Sequence, residues 1–180
     1  KANGWTGTES HFGIGGLWGD GLDGVVYQWQ DTGFRADANL GGNHRVISIE
    51  TGDNAPKSAS AIEPWTDKQL DAMVALIAWA CRTHDIPAVA IPDSKPGRSG
   101  IGYHRLGIDP WRVAGGERWS TSRGKECPGT RRIAQVPGII SRVQLILSED
   151  TVDQKDVDRI ARAVGDLVIP NKNPAGPSGQ

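Results

Sequence analysis

The chain has 180 residues and a mass of 19.3 kDa, which suits one compact domain with a sizeable core and a short appendage rather than two full domains. Lys and Arg total 20 against 21 Asp and Glu, a formal net charge of -1, so no global basic field gathers nucleic acid or acidic lipid, and partners must be recognised locally. No apolar stretch approaches the roughly 18 residues of a membrane span, so neither a nucleic-acid partner nor membrane insertion is expected.

In chain order, residues 11–16 and 25–29 bracket a loop rich in Gly and Asp, and the alternation of Val25, Tyr27 and Trp29 predicts two strands joined as a hairpin. Val46-Ile47-Ser48-Ile49-Glu50 is short and β-branched, with Gly41-Gly42-Asn43 before it and Gly52-Asp53-Asn54 after. That pattern predicts a buried strand whose last residue, Glu50, emerges at the sheet edge. Thr66 followed by Gln69 forms a capping-box pair, after which Leu70, Met73, Val74, Ile77 and Cys81 repeat with helical spacing. Residues 86–91 read as a strand interrupted by Pro87, and 92–100 as a polar surface loop.

A second helix is expected within 133–147, beginning after Pro137, with Ile139, Ile140, Val143, Ile146 and Leu147 on one side. Strands and helices thus alternate irregularly, which predicts an α/β fold with a mixed central sheet flanked by helices. Beyond Thr151, Val157, Ile160, Ala161, Val164, Leu167 and Val168 mark an amphipathic helix, and the Pro- and Gly-bearing end reads as disordered linker. The chain therefore divides into a folded domain over 1–148, an appended helix over 149–169 and a linker or tail over 170–180.

The chemistry concentrates between Gly102 and Gly129. His104 and Cys127 are an imidazole and a thiol, ligand types that zinc prefers, and the charge of Lys125 suits a thiolate or a developing oxyanion. Two ligands do not complete a zinc site. Cys81 lies in an apolar helical pattern and Cys127 in a polar loop, so no disulfide is expected and the protein reads as made in a reducing compartment. Of the other histidines, His11 reads as a hydrogen-bonded structural residue, His44 as a solvated turn residue and His84 as a helix C-terminal residue favoured by the dipole. Arg131 and Arg132 read as a solvated face or helix entry. Seven of the eleven aromatic residues are Trp, a side chain suited to filling a core and to carrying sugars; core filling is the expected role for most.

Taken in order, Ser10-His11-Phe12, Asp23-Gly24-Val25-Val26-Tyr27-Gln28, the strand ending on Glu50, the helix over 66–81, Gly102-Tyr103-His104 and Lys125-Glu126-Cys127-Pro128-Gly129 form a recognisable series. It resembles the zinc-dependent N-acetylmuramoyl-L-alanine amidases of the phage-lysozyme and peptidoglycan-recognition-protein type, over about residues 11–140. The insert carrying Asp109-Pro110-Trp111-Arg112 and Arg118-Trp119-Ser120 looks like the variety found in phages of actinobacteria.

The resemblance implies roles position by position. His104 and Cys127 match two of the family's three zinc ligands, Glu50 its catalytic acid at the end of the central strand, and Lys125 the lysine two residues before the last ligand. The family's first ligand is a histidine ending a strand well ahead of the Ser-His-Phe motif, which places it upstream of Lys1 and makes weak zinc binding and impaired activity the expectation for this chain. A tyrosine often found before that motif's histidine is Ser10 here, so any role of its hydroxyl does not carry over.

The implied activity is that of an endolysin cleaving the amide between N-acetylmuramic acid and L-alanine of bacterial peptidoglycan. The opening Lys-Ala-Asn-Gly-Trp lacks a signal-peptide layout, so synthesis in a host cytoplasm and action on the host wall are expected. Two other classes stay open: a non-catalytic wall-binding module and a zinc peptidase acting within the stem peptide. Trp18, Trp111 and Trp119 are candidates for lining a substrate groove. The oligomeric state and the stem-peptide specificity are not fixed by the sequence.

Overall fold

A computed structural model describes residues 10–17, 22–54 and 63–149. Three short strands, β1 (Phe12–Ile14), β2 (Val26–Gln28) and β3 (Ile49–Thr51), form one sheet in the order β2-β1-β3. β1 and β2 make the expected hairpin, antiparallel with Phe12 opposite Gln28 and Ile14 opposite Val26. Gly24, at φ +79°, supplies the left-handed residue on the way into β2. β3 lies parallel to β1, with Gly13 opposite Glu50, so the sheet is mixed. Phe12 and Ile14, two residues apart, share the buried face. On the other face the Trp29 ring covers Gly13 so closely that a Cβ there would sit 2.3 Å from it.

Among the described residues two α-helices accompany the sheet, giving an α/β architecture. Helix α1 (Asp67–Thr83) starts as the sequence predicts: Thr66 Oγ1 accepts from Gln69 N–H at 3.1 Å, and the Gln69 side chain accepts from Thr66 N–H at 3.2 Å. Its other end closes with Asp85 at φ +52° and a bond from Ile86 N–H to Cys81 O at 3.0 Å, the pattern of a Schellman cap. Helix α2 (Thr130–Glu149) packs across α1. Met73, Val74 and Leu76 from α1, Val136, Ile139 and Val143 from α2, and Phe12, Ile14 and Val26 from the sheet form one core. Each fully buried aliphatic side chain of this kind contributes about 1.5–3 kcal/mol.

Three expectations need correction. The strand expected over 46–50 forms over Ile49–Thr51, so Glu50 occupies its centre rather than its end. Ser48 O takes the N–H of both His11 and Phe12, each at 3.1 Å, a bulge-like arrangement that delays regular pairing until Ile49. Helix α2 begins at Thr130 and runs through Pro137 instead of starting after it. Pro137 faces solvent, where a missing N–H costs least, while Val136, Ile139, Ile140 and Val143 are buried. The strand expected over 86–91 reduces to a single bridge between Ala90 and Ile101, because Pro87 and Pro92 cannot donate to a ladder.

Apart from Glu149, which ends α2, the helix expected over 149–169, the tail over 170–180 and Trp18 lie outside the described residues. Among the described residues no helix is long and apolar enough to cross a membrane.

Candidate active site

A cavity of about 510 Å3 opens beside β3, between the 91–104 segment and the turn that leads into α2. Its floor is apolar, with Met73 and Ile77 from α1 and Val136 and Ile139 from α2, while its mouth is polar. Glu50, His104, Lys125 and Cys127, separated widely along the chain, all line it. Glu50 arrives from the middle of β3, His104 from the start of a 3-10 turn (His104–Gly107), and Lys125 and Cys127 from the segment just ahead of α2. That segment is tied to the helix by bonds from Gly129 N–H to Glu126 O at 2.6 Å and from Ile133 N–H to Gly129 O at 3.0 Å.

The imidazole of His104 is half-buried, and its Nε2 lies 2.8 Å from Trp119 O. A carbonyl only accepts, so Nε2 carries the proton and Nδ1 keeps its lone pair. Burial is the largest influence on the imidazole and lowers its pKa below the ordinary value; the Trp119 carbonyl opposes this and the Lys125 charge adds to it, so that the neutral ring is favoured on balance. Trp119 is itself fixed in a slot built for it. A Cβ on Gly107 would meet Trp119 Cγ at 2.2 Å, and one on Gly42 would meet its Nε1 at 2.6 Å. The indole Nε1–H donates to Glu117 at 3.3 Å, and Glu117 in turn pairs with Arg45 at 2.8 Å. The insert after His104 is thereby anchored, and its backbone sets the tautomer of that histidine.

Cys127 is half-buried, and both cysteines are free. Burial first and the Glu50 carboxylate second push its thiol up, while Lys125 and Arg132 pull it down. Cys81 lies in the core as expected, its thiol pushed up by burial. A neutral imidazole with Nδ1 open and a thiol flanked by two cations have the chemistry of a zinc-ligand pair: the second nitrogen of a zinc-bound histidine ordinarily donates to a carbonyl, as Nε2 does here. They are two donors of the required set. Among the described residues no group of three His, Cys, Asp or Glu side chains gathers to hold a metal.

Arg132 stands in the first turn of α2, the helix entry expected as one alternative, but the solvated face is overturned. Rather than lying on a solvated face, it is 4% exposed and lines the cavity. Its Nε donates to Glu63 O at 2.9 Å, Nη1 to Thr51 Oγ1 at 3.0 Å and Nη2 to Gly52 O at 3.1 Å. The Trp65 ring lies beneath the guanidinium at 5.8 Å, and Trp65 Nε1–H donates to the same Thr51 hydroxyl at 3.0 Å. The available signal was spacing: Arg132, Val136, Ile139 and Val143 fall on one helical stripe. Arg131, by contrast, is exposed and pairs with Glu63 at 2.9 Å.

The remaining histidines keep structural positions. His11, 2% exposed, accepts Ser48 N–H at Nδ1 (3.1 Å) and has Nε2 at 3.0 Å from Phe34 O. His84 caps α1 and meets Thr32 Oγ1 at 2.9 Å, and His44 is exposed. Of the candidate tryptophans, Trp119 lines the cavity as a buried wall, whereas Trp111 is exposed away from it under the Arg105 guanidinium at 5.0 Å. Trp65, not singled out from sequence, also lines it.

A family model described as N-acetylmuramoyl-L-alanine amidase matches residues 2–130. No curated protein and no solved structure matches the chain.

Proposed function

Given that the chain belongs to the N-acetylmuramoyl-L-alanine amidase family, whose substrate is peptidoglycan, we propose that the cavity beside β3 is a hydrolytic site for the bond joining N-acetylmuramic acid to the L-alanine of the stem peptide. The observation that carries this reading is the convergence of Glu50, His104, Lys125 and Cys127 on one cavity. His104 through Nδ1 and Cys127 through its sulfur are the residues that would hold zinc. When bound, such an ion polarises the amide carbonyl and lowers the pKa of a water molecule to about 7.

The chain's own groups have separate tasks. Glu50 accepts the proton of the attacking water and passes it to the nitrogen of the departing amine. Lys125 faces the negative charge that develops on the amide oxygen; loss of one such donor costs on the order of 100–1,000-fold in rate. The Trp119 carbonyl keeps His104 in the tautomer with Nδ1 open, and the apolar floor excludes water from beneath the reacting bond. The insert over 105–126 supports a lysis role on the walls of actinobacterial hosts, through its resemblance to that phage variety.

Purified peptidoglycan incubated with the zinc-supplemented protein and examined by mass spectrometry tests the reading. Free lactyl ends on the glycan are expected, with Glu50→Gln abolishing them. New termini between amino acids would assign a peptidase instead, and intact wall that nonetheless retains the protein would assign a binding module.

A further inference from the structure

Arg132 is a buried cation for which the hydrolytic scheme has no task. Its three hydrogen bonds all go to neutral oxygens, while Asp53 and Glu50 act on its charge electrostatically. A guanidinium buried for stability alone is ordinarily matched by a carboxylate. Here two of the three bonds seize the residues immediately after Glu50, at Thr51 and Gly52, and they do so from the first turn of the helix that carries Cys127 at its head.

We infer that Arg132 is a positioning residue for the hydrolysis proposed above: it clamps the end of β3 to the start of α2 and so fixes the Glu50 carboxylate relative to Cys127 across the cavity mouth. The inference rests on that reading of the site. Three features make the clamp rigid. A guanidinium is planar and presents its donors at fixed angles, unlike a lysine ammonium. Thr51 Oγ1 is held simultaneously by Trp65 Nε1–H at 3.0 Å, so the acceptor cannot swing away. Gly52 is held on its other side by its own N–H to Ile14 O at 2.7 Å and by Gln69 Nε2 to Gly52 O at 3.0 Å. Glu50 is thus the residue next to a stretch of backbone fixed from three directions, and Arg132 is the one of those ties that comes from the Cys127 side. Its charge also acts on Asp53, Cys127 and Glu50.

The test compares Arg132→Lys with Ile140→Val, a core change in α2 away from the cavity, on muropeptide substrate well below the melting transition of both. Arg132→Lys keeps the charge but not the fork, so kcat is expected to fall on the order of 10–100-fold with KM changed less than about twofold, as befits a misplaced catalytic group. Ile140→Val should leave kcat unchanged. Amide exchange supplies a readout independent of turnover: the Gly52 N–H should exchange faster in Arg132→Lys and at the wild-type rate in Ile140→Val. Equal kcat and equal Gly52 exchange in the two variants would overturn the inference. Should Arg132→Lys fold poorly, Thr51→Val removes one acceptor of the clamp and keeps the side-chain shape; a fall in kcat at constant KM supports the clamp, and unaltered kcat overturns it. Wild-type protein that leaves peptidoglycan intact sinks the amidase reading itself, while the exchange comparison still decides whether the clamp exists.

Discussion

Gln69 is 0% exposed, yet its side-chain oxygen accepts from Thr66 N–H at 3.2 Å and from Asn54 Nδ2 at 2.7 Å, and its Nε2 donates to Gly52 O at 3.0 Å. One amide therefore joins the cap of α1, the loop after β3 and the backbone next to Glu50. Gln69→Leu preserves the volume but strands these partners, and is expected to cost about 2–4 kcal/mol, read as a lower urea midpoint with an unchanged denaturant slope. Residues of this kind were only half legible. The capping role of Gln69 is local and could be read from its spacing to Thr66, whereas its bonds to Asn54 and Gly52 depend on how separate segments meet. The same division explains the cavity. His104, Lys125 and Cys127 stand out because reactive side chains in a glycine-punctuated loop have little reason to be there otherwise. Arg132 does not, because an arginine beside another arginine at a helix start looks solvated until a distant carbonyl, Glu63 O or Gly52 O, is found against it.

Among the elements, α1 was readable at its start and not at its stop. The Thr66–Gln69 pair announces the first turn, but the chain turns out of the helix at Asp85, which adopts φ +52° where glycine is the favoured occupant. An aspartate there also places a negative charge at the negative end of the helix dipole. Asp85→Gly is expected to stabilise the protein by about 0.5 kcal/mol, a rise in Tm of roughly 1–3 °C by scanning calorimetry. β3 and α2 show why boundaries were harder. Ser48 looks like part of a β-branched run, yet its carbonyl serves two amides of the neighbouring segment and its hydroxyl lies 3.1 Å from His11 Nδ1, so pairing starts one residue later. Pro137 looks like a helix start because proline favours the first turn. It is tolerated mid-helix because the apolar stripe on the opposite side of α2 holds both halves against α1.

At the scale of the whole molecule, the three short strands and two α-helices seen among the described residues would be a modest framework if only the ladder held it. Long-range ties do much of the work: Arg45 with Glu117 across the insert, Trp65 with Gln135, where the Trp65 N–H donates to Gln135 Oε1 at 2.8 Å and Gln135 Nε2 returns to Trp65 O at 3.0 Å, and Arg132 with the end of β3. The order of motifs along the chain was enough to suggest the family, because order is a property of sequence. The cavity was not, because its walls come from segments that share no local pattern. The placement of β3 as an outermost strand carries a further consequence. Among the described residues its ladder runs to β1 alone, and a charged side chain on a strand at such a margin is a recognised deterrent to the stacking of one polypeptide onto another in aggregates. Glu50, exposed at the centre of the strand, supplies such a charge. Glu50→Gln should scatter light at lower protein concentration than wild type when both are warmed slowly, and an identical onset would show that the carboxylate has no part in deterring association.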